Sequence, residues 1–173
     1  MKRMAQFALV SKTQFLSDWE NAFGTVSGAQ EAYETLKLPV RATKGSAGYD
    51  FFSPRTFSLA PGESILLPTG IRVQMEEGWF LACYPRSGLG FRYRLQLDNT
   101  VGIIDADYFD SKNEGHIMAR LTNDSREGKT VTVSQGTGFM QGIFTPFGIT
   151  WDDAATKERT GGFGSTTKKE EIK

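Results

Sequence analysis

Apolar and polar positions alternate in short runs, punctuated by turn residues, along most of the chain. Ile71, Val73 and Met75 alternate with Arg72 and Gln74, the period-two signature of a half-buried strand. Phe7–Val10 reads as a short first strand, and Ile65-Leu66-Leu67 as another ended by Pro68. Glu76-Glu77-Gly78 turns the chain into the apolar run Trp79–Tyr84. Ile117, Ala119 and Leu121 share one face of a later strand, and Val131 and Val133 alternate within Thr130–Ser134. Phe139–Ile149 is apolar but broken by Gly142, Pro146 and Gly148. Short strands with turn signals roughly every ten residues predict a β-sandwich or barrel.

Residues 13–38 depart from this pattern. Ser27-Gly28-Ala29-Gln30 has capping-box spacing, in which a serine and a glutamine satisfy each other's backbone amides. The helix formers up to Lys37 follow, and Pro39 stops the run. One short helix is expected here, with an irregular surface loop as the alternative. From Asp152 to Lys173 the chain is rich in Thr, Gly, Lys and Glu, with too little apolar surface to order by itself. The expected organisation is one β domain over 1–151, carrying the 13–38 insertion, followed by a flexible C-terminal segment over 152–173.

Composition narrows the functional classes. The 173 residues suit one domain. Twenty Lys and Arg balance twenty Asp and Glu, for a net charge of zero, unlike the basic footprint of a nucleic-acid binder or a polybasic membrane binder. No run nears 18 apolar residues, and no apolar signal region opens the chain. The expectation is a soluble cytoplasmic protein that binds neither nucleic acid nor membrane. With one Cys and one His, a His/Cys metal cage cannot be built from a single chain. Cys83 reads as a small buried hydrophobe and His116 as a surface or hydrogen-bonded structural residue.

Three segments carry candidate chemistry. In Gly102-Ile103-Ile104-Asp105-Ala106-Asp107-Tyr108, two carboxylates and a phenol follow an apolar pair. An aspartate there is either a general base that orients water or part of an Asx turn. Tyr84-Pro85-Arg86-Ser87-Gly88-Leu89-Gly90 combines a guanidinium, a hydroxyl and two glycines; exposed amides and arginine bind anions. In the polar tail, Gly161-Gly162-Phe163-Gly164-Ser165-Thr166-Thr167 sets one aromatic among glycines.

In order, Ala47-Gly48-Tyr49-Asp50, Pro85–Gly90, Asn99 with Gly102–Tyr108, Gly136–Gln141 and Arg159–Thr166 resemble the five motifs of the trimeric dUTPase family. The resemblance runs from about Val40 to Thr167. The fourth motif, usually Gly-x-Arg-Ile-Ala-Gln, stands here as Gly136-Thr137-Gly138-Phe139-Met140-Gln141. The resemblance implies an all-β, jelly-roll-like barrel, assembled as a homotrimer with active sites between subunits. It implies hydrolysis of dUTP to dUMP and pyrophosphate, with Mg²⁺ carried mainly on the triphosphate.

Site roles follow from the same resemblance. Asp105 would activate the attacking water. Asn99 and the backbone from Gly102 to Ile104 would hydrogen-bond uracil, and Tyr108 would stack on the deoxyribose. Arg86, Ser87, Gly88 and Gln141 would face the phosphates. Phe163 would stack on uracil as the tail closes, with Arg159, Gly164, Ser165 and Thr166 around the β- and γ-phosphates. Asp50 would be structural or outer-sphere to the metal. A dCTP deaminase on a related fold would show Pro-Gly-Trp after the Ile-Asp step, where this chain has Ala106-Asp107-Tyr108. A non-enzymatic regulator, or an enzyme with a protein partner at the 13–38 insertion, is the remaining alternative.

Overall fold

The computed structural model describes residues 2–157 and 159. The chain begins with β1 (Ala5–Leu9), α1 (Lys12–Phe23) and α2 (Ala29–Glu34). Strands β2 (Val40–Arg41), β3 (Tyr49–Phe52), β4 (Phe57–Leu59), β5 (Ser64–Pro68), β6 (Ile71–Met75) and β7 (Trp79–Pro85) follow. Helix α3 (Ser87–Tyr93) precedes β8 (Leu95–Leu97) and β9 (Gly102–Asp105), and a 3₁₀ turn spans Ala106–Asp110. The last strands are β10 (Met118–Asn123), β11 (Val131–Val133) and β12 (Gly138–Pro146).

The strands pair as four sheets: β1-β6, β5-β10-β8, β11-β4, and the five-stranded β2-β3-β12-β7-β9. The all-β expectation holds, and among the described residues the pairing forms separate sheets rather than one closed barrel. One core collects Phe51, Leu67, Leu81, Leu95, Leu121 and Phe139 between the sheets. In β10, Ala119, Leu121 and Asn123 are buried while Arg120 is exposed, as period two requires. Asn123 is satisfied inside: its Nδ2 donates to Leu59 O at 2.8 Å and to Lys129 O at 2.9 Å.

The 13–38 region corrects the sequence reading: two helices form, not one. The larger, α1, is the one that reading missed. Its own capping signal is Ser11, whose Oγ accepts from Gln14 N at 3.1 Å. Phe15 and Trp19, one turn apart, bury one face. Gly24 closes the helix in the left-handed conformation, φ 68°, and donates its N–H to Glu20 O. At α2 the capping box does not form: Gly28 is the N-cap, with no side-chain bond, and Ser27 N donates instead to Thr25 Oγ1. The helices build a satellite core of Val10, Phe15, Trp19, Ala29 and Ala32.

Candidate functional site

Strand β9 divides its residues between two faces. Gly102 and Ile104 point inward, Ile103 and Asp105 outward. On the inner side a cavity of about 540 Å³ is lined by Asn99, Gly102, Ile104, Cys83, Asn113 and Arg120, among others. Three predicted uracil contacts, Asn99, Gly102 and Ile104, therefore meet in one place. A Cβ on residue 102 would stand 3.2 Å from Cys83 Cβ and 3.8 Å from Asn99 Nδ2, so glycine there keeps the cavity open. Cys83 is buried as expected, and burial pushes its thiol up to about 12. It is an inert wall.

Asp105 ends the strand. Its carboxylate is half exposed and faces Asp107 in the 3₁₀ turn, with Arg159 between them. Arg159 Nη2 donates to Asp105 Oδ2 at 2.5 Å, and Nε to Asp107 Oδ1 at 2.9 Å. Partial burial raises the Asp105 carboxyl above its ordinary value; Arg159 works against that and Asp107 with it. Tyr108 is 3% exposed. Its hydroxyl donates to His116 O at 2.8 Å and accepts from Asn113 Nδ2 at 2.8 Å. The Arg159 guanidinium lies 5.7 Å from the centre of its ring.

A third group assembles at the far end of the five-stranded sheet. Asp50, Gln141 and Tyr84 are cross-strand partners in one row, so their side chains share a face. Arg86, two residues beyond Tyr84, pairs with Asp50 through Nε at 3.4 Å. A Cβ at residue 138 would meet Arg86 Nη1 at 2.7 Å, and one at residue 48 would meet Gln141 Oε1 at 2.6 Å. Gly138 and Gly48 thus make room for Arg86 and Gln141. The segment expected to be a glycine-rich turn is α3, begun by Ser87 and Gly88. Leu89 and Tyr93, one turn apart, pack it on the core against the cost of its two glycines. In its first turn, Leu89 N and Gly90 N both donate to Arg86 O at 3.0 Å.

Asp105 and Asp107 at the end of β9 and Arg86 past the end of β7 mark two charged groups on the five-stranded sheet. A family model described as dUTPase matches residues 34–167. The chain belongs to the dUTPase family. It is 42% identical over 134 residues to deoxyuridine 5′-triphosphate nucleotidohydrolase of Lactococcus lactis, covering 76% of this chain and 88% of that protein. It is 39% identical over 139 residues to the enzyme of the same name from Actinobacillus pleuropneumoniae, covering 76% and 87%. The crystal structure of dUTPase from Streptococcus mutans superposes with a TM-score of 0.61 at 30% identity, over 83% of this chain and 97% of that one. A point mutant of the dUTPase from Staphylococcus aureus phage phi11, which coordinates a structural Mg(II) ion, shares the fold at 20% identity, with a TM-score of 0.62 over 90% and 98% of the two chains.

Against the dUTPase motifs, one protomer places the predicted residues in three groups: Asn99, Gly102 and Ile104 at the cavity, Asp105, Tyr108 and Arg159 beside it, and Asp50, Arg86, Ser87, Gly88 and Gln141 apart. Phe163, Gly164, Ser165 and Thr166 lie outside the described residues. Among the described residues, no three His, Cys, Asp or Glu side chains group to hold a metal ion. Asp50 is committed to Arg86. Also among the described residues, no helix is long and apolar enough to cross a membrane. Sequence reasoning missed Asn113, which lines the cavity, and the partners of His116. His116 is fully buried: Nδ1 lies 2.6 Å from Asp18 Oδ2, and Nε2 accepts from Gly70 N at 2.8 Å.

Proposed function

We propose that this protein hydrolyses dUTP to dUMP and pyrophosphate, keeping uracil out of DNA. The observation that carries the reading is the position of β9. One strand lines the cavity with Gly102 and Ile104 and ends in the half-exposed carboxylate of Asp105.

Uracil would enter the cavity and hydrogen-bond Asn99 and the β9 backbone, whose donors and acceptors stand at fixed spacing. The deoxyribose would then lie toward Tyr108 and the α-phosphate toward Asp105. Asp105 takes a proton from water as its oxygen attacks the α-phosphorus, and the bond to the bridging oxygen breaks to release pyrophosphate. Arg159 holds Asp105 and Asp107 in the free protein. In the complex it would exchange these carboxylates for phosphate oxygens, which guanidinium grips as well, and uncover the ring of Tyr108. The described donors do not form a caged metal site. Magnesium would arrive with the substrate, where it neutralises triphosphate charge.

Arg86, Ser87, Gly88 and Gln141 would receive the phosphates of a nucleotide whose base sits in another protomer, with Asp50 holding Arg86 in place. This requires a second subunit, which the family resemblance supplies as a homotrimer with sites between subunits. Phe163, Gly164, Ser165 and Thr166 would complete the site from the tail. Pyrophosphate release from dUTP, measured beside dCTP, dTTP and UTP, tests the reading.

A further inference from the structure

The N-terminal helical region reaches the wall of the nucleotide pocket at two residues, His116 and Glu114. The His116 imidazole is fully buried between two elements far apart in sequence. Nε2 accepts from the backbone N–H of Gly70, between β5 and β6. A nitrogen that accepts carries no proton, so the proton sits on Nδ1 and is donated to Asp18 of α1 at 2.6 Å. The ring is thereby fixed in one tautomer and one orientation.

The backbone of the same residue organises the pocket wall. His116 N donates to Asn113 O at 3.0 Å. His116 O accepts from Tyr108 Oη at 2.8 Å, and Asn113 Nδ2 donates to that hydroxyl at 2.8 Å. Asn113 and Ile117, on either side, line the cavity that holds Asn99, Gly102 and Ile104. The N-cap of α1 grips this loop a second time. Ser11 N and Oγ donate to the two carboxylate oxygens of Glu114, both at 2.7 Å. Between the two grips, Glu114 and Gly115 both have positive φ, 57° and 68°. Residue 115 has no room for a side chain: a Cβ would stand 2.8 Å from Phe109 Cα and from Tyr108 O. The loop has one way to lie, and the insertion holds it there.

We infer that Asp18 is a positioning residue for the nucleotide pocket, acting from α1 through His116 to set Asn113 and Tyr108. The insertion is then a buttress of the site as well as a packed surface element. The inference rests on the proposed dUTP site only for its kinetic arm.

The test compares the full-length parent with Asp18→Ala, Asp18→Asn, Glu114→Ala and Tyr33→Phe. Asp18→Ala leaves the Nδ1–H without an acceptor. Asp18→Asn supplies one again through its carbonyl oxygen. Glu114→Ala loosens the second grip from an exposed position, which keeps the test open should Asp18→Ala not fold. Tyr33→Phe removes the hydrogen bond from Tyr33 Oη of α2 to Val10 O and leaves the loop alone. In folded protein, Asp18→Ala should lower kcat/KM for dUTP about 10–100-fold, the scale of a misplaced binding group, chiefly through KM. Glu114→Ala should move KM the same way by less, Asp18→Asn should restore it, and Tyr33→Phe should leave it unchanged. Independently of turnover, the Asn113 side-chain amide resonance should shift in Asp18→Ala and return in Asp18→Asn. Parent kinetics and an unmoved Asn113 resonance in folded Asp18→Ala, or an equal KM rise in Tyr33→Phe, overturn the inference. A parent that does not hydrolyse dUTP overturns the proposed function, and the Asn113 resonance still decides this one.

Discussion

Asp105 and Arg86 stand at opposite ends of strand β7, Asp105 paired near its start and Arg86 just past its end. Asp105 pairs across β7 with Phe80, and six residue steps along that strand lead to Arg86, a span of about 20 Å. A nucleotide triphosphate whose α-phosphate lies at Asp105 cannot also rest its phosphates on Arg86 of the same protomer. On the proposed reading a second copy must supply that group. Light scattering should accordingly give a mass of three times 19.2 kDa. A fully active monomer would show that one chain completes its own site.

Asp105 must be ionised to accept a proton. Burial raises its carboxyl, Arg159 lowers it and Asp107 raises it, for a net upward shift. The acid limb of kcat/KM against pH should therefore lie above the ordinary aspartate value of 3.8. Arg159→Ala takes away the opposing charge in the free enzyme, so the limb should move further up in pH. A limb that stays put or moves down would separate Arg159 from Asp105. Asp105→Asn should lose about 10²–10⁴-fold in kcat, the usual cost of a missing general base, with dUTP binding changed much less.

Gly115→Ala should weaken the fold as well as the site. The left-handed backbone costs about 1–3 kcal/mol for a residue with a side chain, and the new Cβ meets backbone at 2.8 Å. The urea midpoint should fall, with dUTP hydrolysis lost in step. A midpoint equal to the parent's would mean that the loop has a second resting position.

Gly102→Ala separates stability from binding. Its Cβ would reach Cys83 Cβ at 3.2 Å, a contact relieved by a few tenths of an ångström of movement, but it would project into the cavity mouth. Thermal melting should change little while KM for dUTP rises. Unchanged KM would place the base somewhere other than this cavity.

Much of this architecture was legible along the chain. Strands such as β6 and β10 follow directly from alternating burial, because a half-buried strand has only one way to read. The carboxylates Asp105 and Asp107 and the Arg86–Gly88 segment also stood out, as charge and glycine beside apolar strands. Helix α1 escaped although Ser11 and Gln14 carry capping spacing, because Phe15 and Trp19 show their common face only against Val10, Ala29 and Ala32. His116 could not be placed from sequence at all. Its partners, Asp18 and Gly70, are joined to it by tertiary packing across 98 and 46 residues, and nothing local marks a histidine as buried. Arg159, expected at the phosphates, rests on Asp105 and Asp107 in the free chain, where two neighbouring carboxylates attract the nearest guanidinium.

Substrate choice tests the central claim most directly. Purified protein is given dUTP, dCTP, dTTP or UTP with magnesium, and pyrophosphate is followed. The account predicts fast release from dUTP alone. On the proposed reading, uracil held by Asn99 and the β9 backbone would exclude the thymine methyl and mismatch the cytosine amino group, and Tyr108 against the deoxyribose would leave no space for a 2′-hydroxyl. Equal release from dUTP and dTTP, or none from dUTP, would contradict it.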